Sequence, residues 1–355
     1  MTGTTYSVTI EPLGQTVKVA EGQTILDACL RNGIYLPYQC NHGLCSTCKV
    51  TVVDGEVDLG EASPFALMDF EREEGRALAC CARPMSDVTI EADIDVDPDA
   101  RNCRVHDVEA RVVDIRPLAR DIIGLWLDAG GVDFDFQAGQ YVQLKIPGVE
   151  GERAFSLANA PGSALLELHI RKVPGGLGTT YLHEKLAVGD RLPLSGPYGR
   201  FYVRESSPLP MIFIAGGSGL SSPKSMVEDL LARGFSQKIT LFHGVRQRQD
   251  LYYDDLFKVL AEKHDNFTYV PVLSDPQPAD GWTGETGFVH EAAVRLFDGA
   301  FRGHKAYLCG PPPMIDAGIR ALMKGRLFDR DIHTESFLTK ADDKAPQRSP
   351  LSQRM

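Results

Sequence analysis

The sequence predicts a multidomain protein in which an α+β module, an antiparallel β-barrel and an α/β module with a doubly wound parallel sheet follow one another. Three observations carry this. Within residues 1–98, short strands and one short helix surround a set of closely spaced cysteines. From Val108 to Val203 the chain is a series of short strands punctuated by Gly and Pro, the pattern of a small antiparallel barrel. From Met211 onward apolar strands alternate with helical segments, which implies a parallel sheet covered by helices. At 355 residues the chain is long enough for two or three such units, each with its own core. The boundaries expected are 1–98, 107–205 and 208–337, with a polar tail at 340–355 that is too poor in apolar residues to fold.

The composition, 43% hydrophobic and 24% charged, is that of a globular protein. No stretch approaches the roughly 20 apolar residues needed to cross a bilayer. The opening MTGTTYSVTIEP lacks the basic and then apolar pattern of a signal peptide. A cytoplasmic protein without a membrane partner is the expectation. The net charge of −11 sits entirely in the first hundred residues, which hold 17 acidic and 6 basic side chains against 31 of each in the remainder. An acidic module argues against a nucleic-acid partner and suggests docking on a basic protein surface. A merely solvated surface is the plainer alternative.

In the first module, SVTIEP and TVKVA read as two strands about a turn at Gly14. EGQTILDACLRNG reads as a short helix, with Ile25, Leu26, Cys29 and Leu30 on one face and Gly33 at its end. The segment LPYQCNHGLCSTCKVTVV then sets out Cys40, Cys45 and Cys48 as C-x4-C-x2-C, and Cys80 follows within ALACCARP. This is the plant-type spacing for a [2Fe–2S] cluster. Two irons take two thiolates each, and the small residues Gly43, Ser46 and Thr47 let the chain wrap them and turn N–H groups toward the sulfurs. Zinc is the rival, but zinc sites favour paired C-x2-C units and only Cys45 and Cys48 form one. The spacing leaves both Cys80 and Cys81 open as the fourth ligand. Eight cysteines are too few for a disulfide scaffold. Cys29 fits the helix core and Cys103 a linker.

The barrel module contains the strands IIGLWLDAG, QYVQLKIPG, RAFSLANAP, LLELHIRKV and RLPLSGPYGRFYV. One helix, GTTYLHEKLAVGD, interrupts them after Gly175 and Gly176. In the last module, Met211–Ala215, GGSGLSSP and KSMVEDLLARG form a strand, a glycine-rich turn and a helix. Such a unit seats a pyrophosphate on a helix N-terminus, with Gly216, Gly217, Ser218 and Gly219 as the candidate cradle. Pro223 near the helix start and Gly234 just past its end agree with that assignment. The turn is not a full G-x-G-x-x-G, because Ser222 stands where the third glycine would be. The strands KITLFHGV and NFTYVPVL and the closing unit KAYLCGPPPMIDAGIRALM complete the module. Sites for NAD often carry an acid about 20 residues past the glycines. Here the strand ends His243-Gly244-Val245-Arg246 without one, and Arg246 or Arg248 offers a grip for a 2′-phosphate, so NADH and NADPH both stay open.

Two motifs in the barrel, Arg153-Ala154-Phe155-Ser156 and Gly196-Pro197-Tyr198-Gly199-Arg200-Phe201, match R-x-[YF]-S and G-P-x-G-x-F. With Cys309-Gly310-Pro311-Pro312-Pro313-Met314, which matches C-G-P-x-x-M, and the terminal HTESF, they resemble the ferredoxin–NADP reductase superfamily. The resemblance covers nearly the whole chain. It implies that Arg153 binds the FAD pyrophosphate, Phe155 stacks on the isoalloxazine and Ser156 hydrogen-bonds near its N5, with Leu157, His169 and Arg171 alongside. An arginine suits the task, since its planar guanidinium holds phosphate oxygens in pairs and keeps its charge. Gly178, Thr179 and Thr180 resemble the second phosphate-binding turn. Gly310, Pro311, Pro312 and Met314 would lie at the nicotinamide end, where Ser156, Cys309 and Glu335 surround the hydride-transfer locus and Phe337 covers the flavin.

For the first module, the similarity of ALACCARP to L-x-C-Q-x-R-P implies a β-grasp ferredoxin with Cys80 as its fourth ligand. Ferredoxin first, FAD second and NAD third is the order of reductases serving soluble methane monooxygenase, phenol and toluene hydroxylases and some ring-hydroxylating dioxygenases. The stretches ASPFALMDFEREEGRALACCA and AGGSGLSSPKSM resemble the phenol hydroxylase branch. Electrons would then run from NAD(P)H, with NADH favoured by the resemblance, through FAD and [2Fe–2S] to a diiron oxygenase component docked near the acidic module. A dioxygenase reductase is the alternative with the same cofactors, and a non-catalytic redox carrier the alternative of another class. The full set of flavin and nicotinamide motifs argues against the carrier. Two departures stand out: Phe155 replaces the commoner Tyr, and the run from Arg326 to Ile332 has no reading.

Overall fold

The computed structural model describes residues 4–38, 41, 43–94, 97–101 and 103–337. The expected polar tail at 340–355 lies outside them, as does the expected cluster ligand Cys40. The chain divides into two compact units, Met1–His106 with the segment Gly196–Arg200, and Asp107–Ser195 with Phe201 onward.

The first unit is built on a five-stranded sheet. Strands β1 (Thr5–Glu11) and β2 (Gln15–Ala20) form a hairpin, and α1 (Ile25–Arg31) follows. Then come β3 (Lys49–Asp54), β4 (Val57–Asp58), α2 (Asp69–Glu73), β5 (Arg76–Leu78), β6 (Arg83–Pro84) and β7 (Val88–Ala92). The sheet order is β2-β1-β7-β3-β5, with β1 and β7 parallel and the other pairs antiparallel. The helix forms because Thr24 caps it, accepting from the Asp27 N–H at 3.3 Å. It buries Ile25, Leu26, Ala28, Cys29 and Leu30, so Cys29 is core. This is a β-grasp fold.

The second unit opens with a six-stranded antiparallel sheet closing on its own core: β8 (His106–Ala119), β9 (Ile122–Asp128), β10 (Tyr141–Lys145), β11 (Glu152–Ser156) and β12 (Leu166–Arg171). After α3 (Leu177–Glu184) comes β13 (Arg191–Tyr198). The order is β11-β10-β13-β8-β9-β12. Irregular register along β8, near Val112–Asp114 and Pro117–Ala119, marks bulges that increase strand curvature. Its core holds Val142, Leu144, Leu168, Ile170 and Leu182.

A parallel sheet follows in the same unit. Its elements are β14 (Met211–Gly216), α4 (Ser221–Ala232), β15 (Ile239–Val245), α5 (Asp254–Lys263), β16 (Phe267–Leu273), β17 (Glu285–Thr286), α6 (Val289–Leu296), β18 (Lys305–Gly310), α7 (Pro312–Lys324) and β19 (Ile332–Ser336). The order is β17-β16-β15-β14-β18-β19, all parallel. Every residue of β14 and β18 is buried, as expected of central strands covered on both faces. The chain leaves β14 toward β15 on one side, and β18 flanks it on the other. That switch point opens a crevice at the carboxyl ends of β14 and β18. Helix α4 anchors one face with Met226, Val227, Leu230 and Leu231, each contributing about 1.5–3 kcal/mol by burial.

Candidate active site

In the first unit, the residues between α1 and β3 wind tightly. Asn41, Gly43 and Ser46 all have positive φ, at 57°, 74° and 61°. A Cβ on Gly43 would lie 2.6 Å from Cys81 Sγ, so only glycine lets the loop close over the cysteines. The segment before α2 braces it: Ser46 Oγ donates to the Ala66 carbonyl at 2.8 Å, and Ser63 N–H to that of Gly43 at 3.1 Å. The first amides of α1 bind the carbonyls of Ala79 and Ala82, fixing the turn that carries Cys80. Cys48 and Cys80 hydrogen-bond to one another, Cys45 faces both Cys48 and Cys81, and the Cys80 and Cys81 sulfurs lie 3.7 Å apart. Among the described residues no three ligands converge on one ion. A two-iron cluster asks instead for two thiolate pairs, and Cys45, Cys48 and Cys80 provide three of four. These residues fit the group.

Gly196-Pro197-Tyr198 ends β13 of the barrel sheet, as expected, and the segment Gly196–Arg200 also packs with the first unit. Gly199 N–H donates to Tyr38 Oη at 2.7 Å, and Tyr198 Oη lies 3.3 Å from Asp27 Oδ1. Cys103 is buried in this unit.

In the second unit, Arg153, Phe155 and Ser156 lie on β11. The Arg153 guanidinium donates to the carbonyls of Glu150 at 3.1 Å and Glu152 at 2.8 Å. Gly178, in the first turn of α3, lies against the stem of Arg153; a Cβ there would sit 3.0 Å from Ile146 Cδ1. An arginine beside helix-start amides is a fit for a pyrophosphate. The Thr179 hydroxyl accepts from Val173 N–H at 3.0 Å and donates to the Gly176 carbonyl at 3.3 Å, so its backbone amide is what it can offer a ligand. Thr180 and Arg171 line a cavity of about 300 Å³ with Asp121 and Gly175, and Arg171 pairs with Asp121 at 2.8 Å. Phe155 packs on the barrel core, and Leu157 is wholly buried. His169 is closed to a cofactor at its ring: Nε2 contacts Glu167 at 2.9 Å and Nδ1 contacts Tyr252 Oη at 3.2 Å.

The two glycine turns meet across β14 and β18. A Cβ on Gly219 would lie 2.3 Å from the Cys309 carbonyl oxygen, and one on Gly216 would lie 2.4 Å from Met314 Sδ. Gly310, with φ of 150°, leaves the same space open. Gly217 has φ of 55° and nothing within 4 Å of its would-be Cβ, so its backbone is approachable. Ser218 is buried beside it, Pro311 caps α7 and Pro312 begins it. A crevice walled by glycine backbone at strand ends fits a dinucleotide backbone. Of the two arginines proposed for a 2′-phosphate, Arg248 donates to the Asp280 carbonyl at 2.6 Å, and Arg246 is exposed at the end of β15.

Ser156, Cys309 and Glu335 come from β11, β18 and β19 and converge. Glu335 Oε2 accepts from Ser156 Oγ at 3.1 Å, from Ser222 Oγ at 2.7 Å and from Cys309 Sγ at 3.6 Å. Burial pushes the Glu335 carboxyl up to about 7 against the pull of these three hydrogen bonds. Burial and the neighbouring carboxylate also hold the Cys309 thiol well above its usual range, so it stays protonated. Phe337, held by its N–H to the Gly310 carbonyl at 3.0 Å, packs beside the core that includes Cys309.

Ser222 was read only as a missing glycine; its hydroxyl is a partner of Glu335. The sequence does not single out a buried polar set, Glu167, Lys224 and Tyr252, with the half-buried Tyr253 beside it. Lys224 shares a helix face with Val227 and Leu231 at i+3 and i+7, and a lysine on an apolar stripe was the available signal.

Three family models match in chain order: the 2Fe-2S iron-sulfur cluster binding domain over residues 8–85, the oxidoreductase FAD-binding domain over 110–202 and the oxidoreductase NAD-binding domain over 213–318. The chain is 56% identical over 348 residues to the phenol hydroxylase P5 protein of Acinetobacter pittii (strain PHEA-2), covering 98% of each. It is 56% identical over 338 residues to the phenol 2-monooxygenase reductase component DmpP of Pseudomonas sp. (strain CF600), covering 95% of this chain and 96% of the relative. Among solved structures, the Amycolatopsis cytochrome P450 reductase GcoB superposes with a TM-score of 0.86 at 39% identity, covering 94% of this chain and 98% of that one.

Proposed function

The chain belongs to the family of iron–sulfur flavoprotein reductases that includes the phenol hydroxylase P5 protein and DmpP, and on that premise we propose that it is the reductase component of a phenol-hydroxylating monooxygenase. It is an oxidoreductase with a [2Fe–2S] cluster, FAD and a nicotinamide cofactor. When bound, FAD takes two electrons from the nicotinamide and the cluster takes them singly, for delivery to the oxygenase. The observation that carries the reading is the convergence of Ser156, Cys309 and Glu335 beside two glycine turns.

The chain's own residues have separable tasks. Arg153 with the amides of Gly178 and Thr179 binds the FAD pyrophosphate, and Phe155 and Phe337 border the isoalloxazine. Gly216, Gly217, Ser218 and Gly219 seat the nicotinamide cofactor's pyrophosphate, while Gly310 to Met314 flank its ring. Glu335, which accepts from Ser156 and Ser222, can hold a proton near neutrality, and the neutral Cys309 thiol adds no charge beside it. Cys40, Cys45, Cys48 and Cys80 hold the cluster. NADH is the expected donor. The oxygenase component, a diiron protein, docks near the acidic first module, and the three modules keep the boundaries 1–98, 107–205 and 208–337. Residues 340–355 form a polar tail, and the protein works in the cytoplasm; among the described residues no helix is long and apolar enough to cross a membrane.

The test is an anaerobic titration of the purified protein with one equivalent of NADH, followed in the visible spectrum. Bleaching of both the flavin band and the broad red shoulder of the cluster supports the reading. A shoulder that stays oxidised while the flavin bleaches overturns the cluster assignment or its place in the sequence.

A further inference from the structure

One buried polar chain in the second unit belongs to neither the flavin strand nor the glycine turn but joins them. Lys224, in the first turns of α4, is 3% exposed; its Nζ reaches Glu167 Oε2 at 3.0 Å, Glu228 Oε2 at 3.0 Å and the Ala158 carbonyl at 3.1 Å. Glu167 projects from β12, and its other oxygen takes His169 Nε2 at 2.9 Å and the Tyr253 hydroxyl. His169 Nδ1 lies 3.2 Å from Tyr252 Oη, which donates to the Gly217 carbonyl at 3.1 Å. Lys224, Glu167, His169 and Tyr252 are all less than 6% exposed.

Burying a lysine, a glutamate and an imidazole together is expensive unless every group is paired. Here Lys224 and Glu167 are fully paired, and the backbone is bent to secure this. Tyr253 adopts φ of 57°, a left-handed conformation costly for an aromatic residue. The adjacent tyrosines thereby send both hydroxyls to one barrel strand, one to Glu167 and one to His169. Helix α5 begins immediately after Tyr253, so the strained residue also sets the direction in which that helix leaves.

We propose that Tyr252, aligned by the Lys224–Glu167–His169 chain, is a positioning residue for the nicotinamide cofactor. By holding the Gly217 carbonyl it fixes the peptide planes of the glycine turn, and thus the direction of the amides that meet the pyrophosphate. The strand β12 that carries His169 belongs to the barrel, so the flavin module dictates the shape of the nucleotide cradle. The inference rests on the reading of the glycine turn as the cofactor's seat. With its Nε2 proton given to Glu167, neutral His169 leaves Nδ1 as a second acceptor beside the Gly217 carbonyl, and the two share the single proton of the Tyr252 hydroxyl; the tautomer follows from this hydrogen-bond pattern.

The test uses the holoprotein with ADP-ribose as the probe, titrated by calorimetry, together with steady-state kinetics in NADH. Tyr252→Phe keeps the ring and removes the hydroxyl. The expected result is weaker ADP-ribose binding and a raised KM for NADH, each by about tenfold, the worth of one lost hydrogen bond, with kcat and flavin content unchanged. Glu167→Gln should weaken binding in the same direction. The double variant should be no weaker than Tyr252→Phe alone, because both act through one chain. Unaltered binding in a folded Tyr252→Phe protein, or strictly additive losses in the double variant, overturns the inference. Failure of the wild-type protein to bind ADP-ribose would instead overturn the reading of the glycine turn.

Discussion

Ser222 Oγ lies 2.7 Å from Glu335 Oε2, closer than either of the other two donors to that oxygen. The first turn of α4 thus delivers a hydroxyl to the same carboxylate that Ser156 meets from the barrel. A carboxyl raised to about 7 is protonated in the folded chain and ionised in the unfolded one across the interval above its ordinary value of about 4.3. The folded state then binds more protons, so this residue's contribution to stability falls as pH rises from about 4 to about 7. Glu335→Gln should flatten the stability curve over that window. Ser222→Ala removes the shortest hydrogen bond to the carboxylate, pushes its titration upward by about one pH unit and extends the decline to higher pH. Thermal melts of the holoprotein across pH give the answer, and a Ser222→Ala profile superimposable on the parent would show that the contact carries no weight.

Cys80 and Cys81 are adjacent, with sulfurs 3.7 Å apart, but only one completes the four-cysteine set. Cys80→Ser should lose the cluster's red absorbance and take bound iron from about two atoms per chain to near none. Cys81→Ser should keep both. Flavin content should be the same in the two variants, because the FAD residues lie in the other unit. Iron analysis with a visible spectrum is sufficient, and the reverse pattern would move the fourth ligand to Cys81.

The surplus negative charge of residues 1–100 predicts a salt effect confined to one step. Raising ionic strength from about 0.01 M to about 0.1 M shortens the screening length from about 30 Å to about 10 Å, which should slow delivery to the oxygenase. Reduction of the flavin by NADH should change far less over the same range. Stopped-flow rates for the two steps separate them; a delivery rate indifferent to salt rules out electrostatic docking through this module.

What could be read in advance was local in the chain. The spacing of Cys45 and Cys48, the strand-turn-helix around Gly217 and the short helix ended by Gly33 are each complete within a dozen residues, so periodicity and residue type suffice. The polar chain was not legible, because its bonds close over long loops. Ser222 meets Glu335 across 113 residues, Lys224 meets Glu167 across 57 and Tyr252 meets His169 across 83. Nothing near His169 distinguishes a cofactor ligand from a buried hydrogen-bonded imidazole; the difference is made by two tyrosines that the fold brings in later. The packing of Gly196–Arg200 with the first unit was hidden for the same reason, since Tyr38 is 161 residues from Gly199.

The glycines of the nucleotide turn should respond unequally to a methyl group. At Gly219 a Cβ would meet the Cys309 carbonyl oxygen at 2.3 Å and Gly310 Cα at 2.6 Å, which are backbone atoms of a central strand and cannot swing aside. Gly219→Ala must therefore push the turn that follows β14 away from the end of β18, at a cost of about 1–3 kcal/mol, or roughly 2–4 °C in melting temperature for each kcal/mol in a unit of this size. At Gly217 the space is empty and only the left-handed φ of 55° opposes an alanine, a penalty of about 1–2 kcal/mol. The distinction lies in binding. Gly219→Ala shifts the turn against the end of β18 and alters the crevice there, whereas Gly217→Ala leaves that contact intact. Paired melting curves and ADP-ribose titrations should show Gly219→Ala losing both stability and affinity, with the smaller change in each at Gly217. Equal losses at the two positions would mean that close approach of the turn to β18 is not what requires glycine at 219.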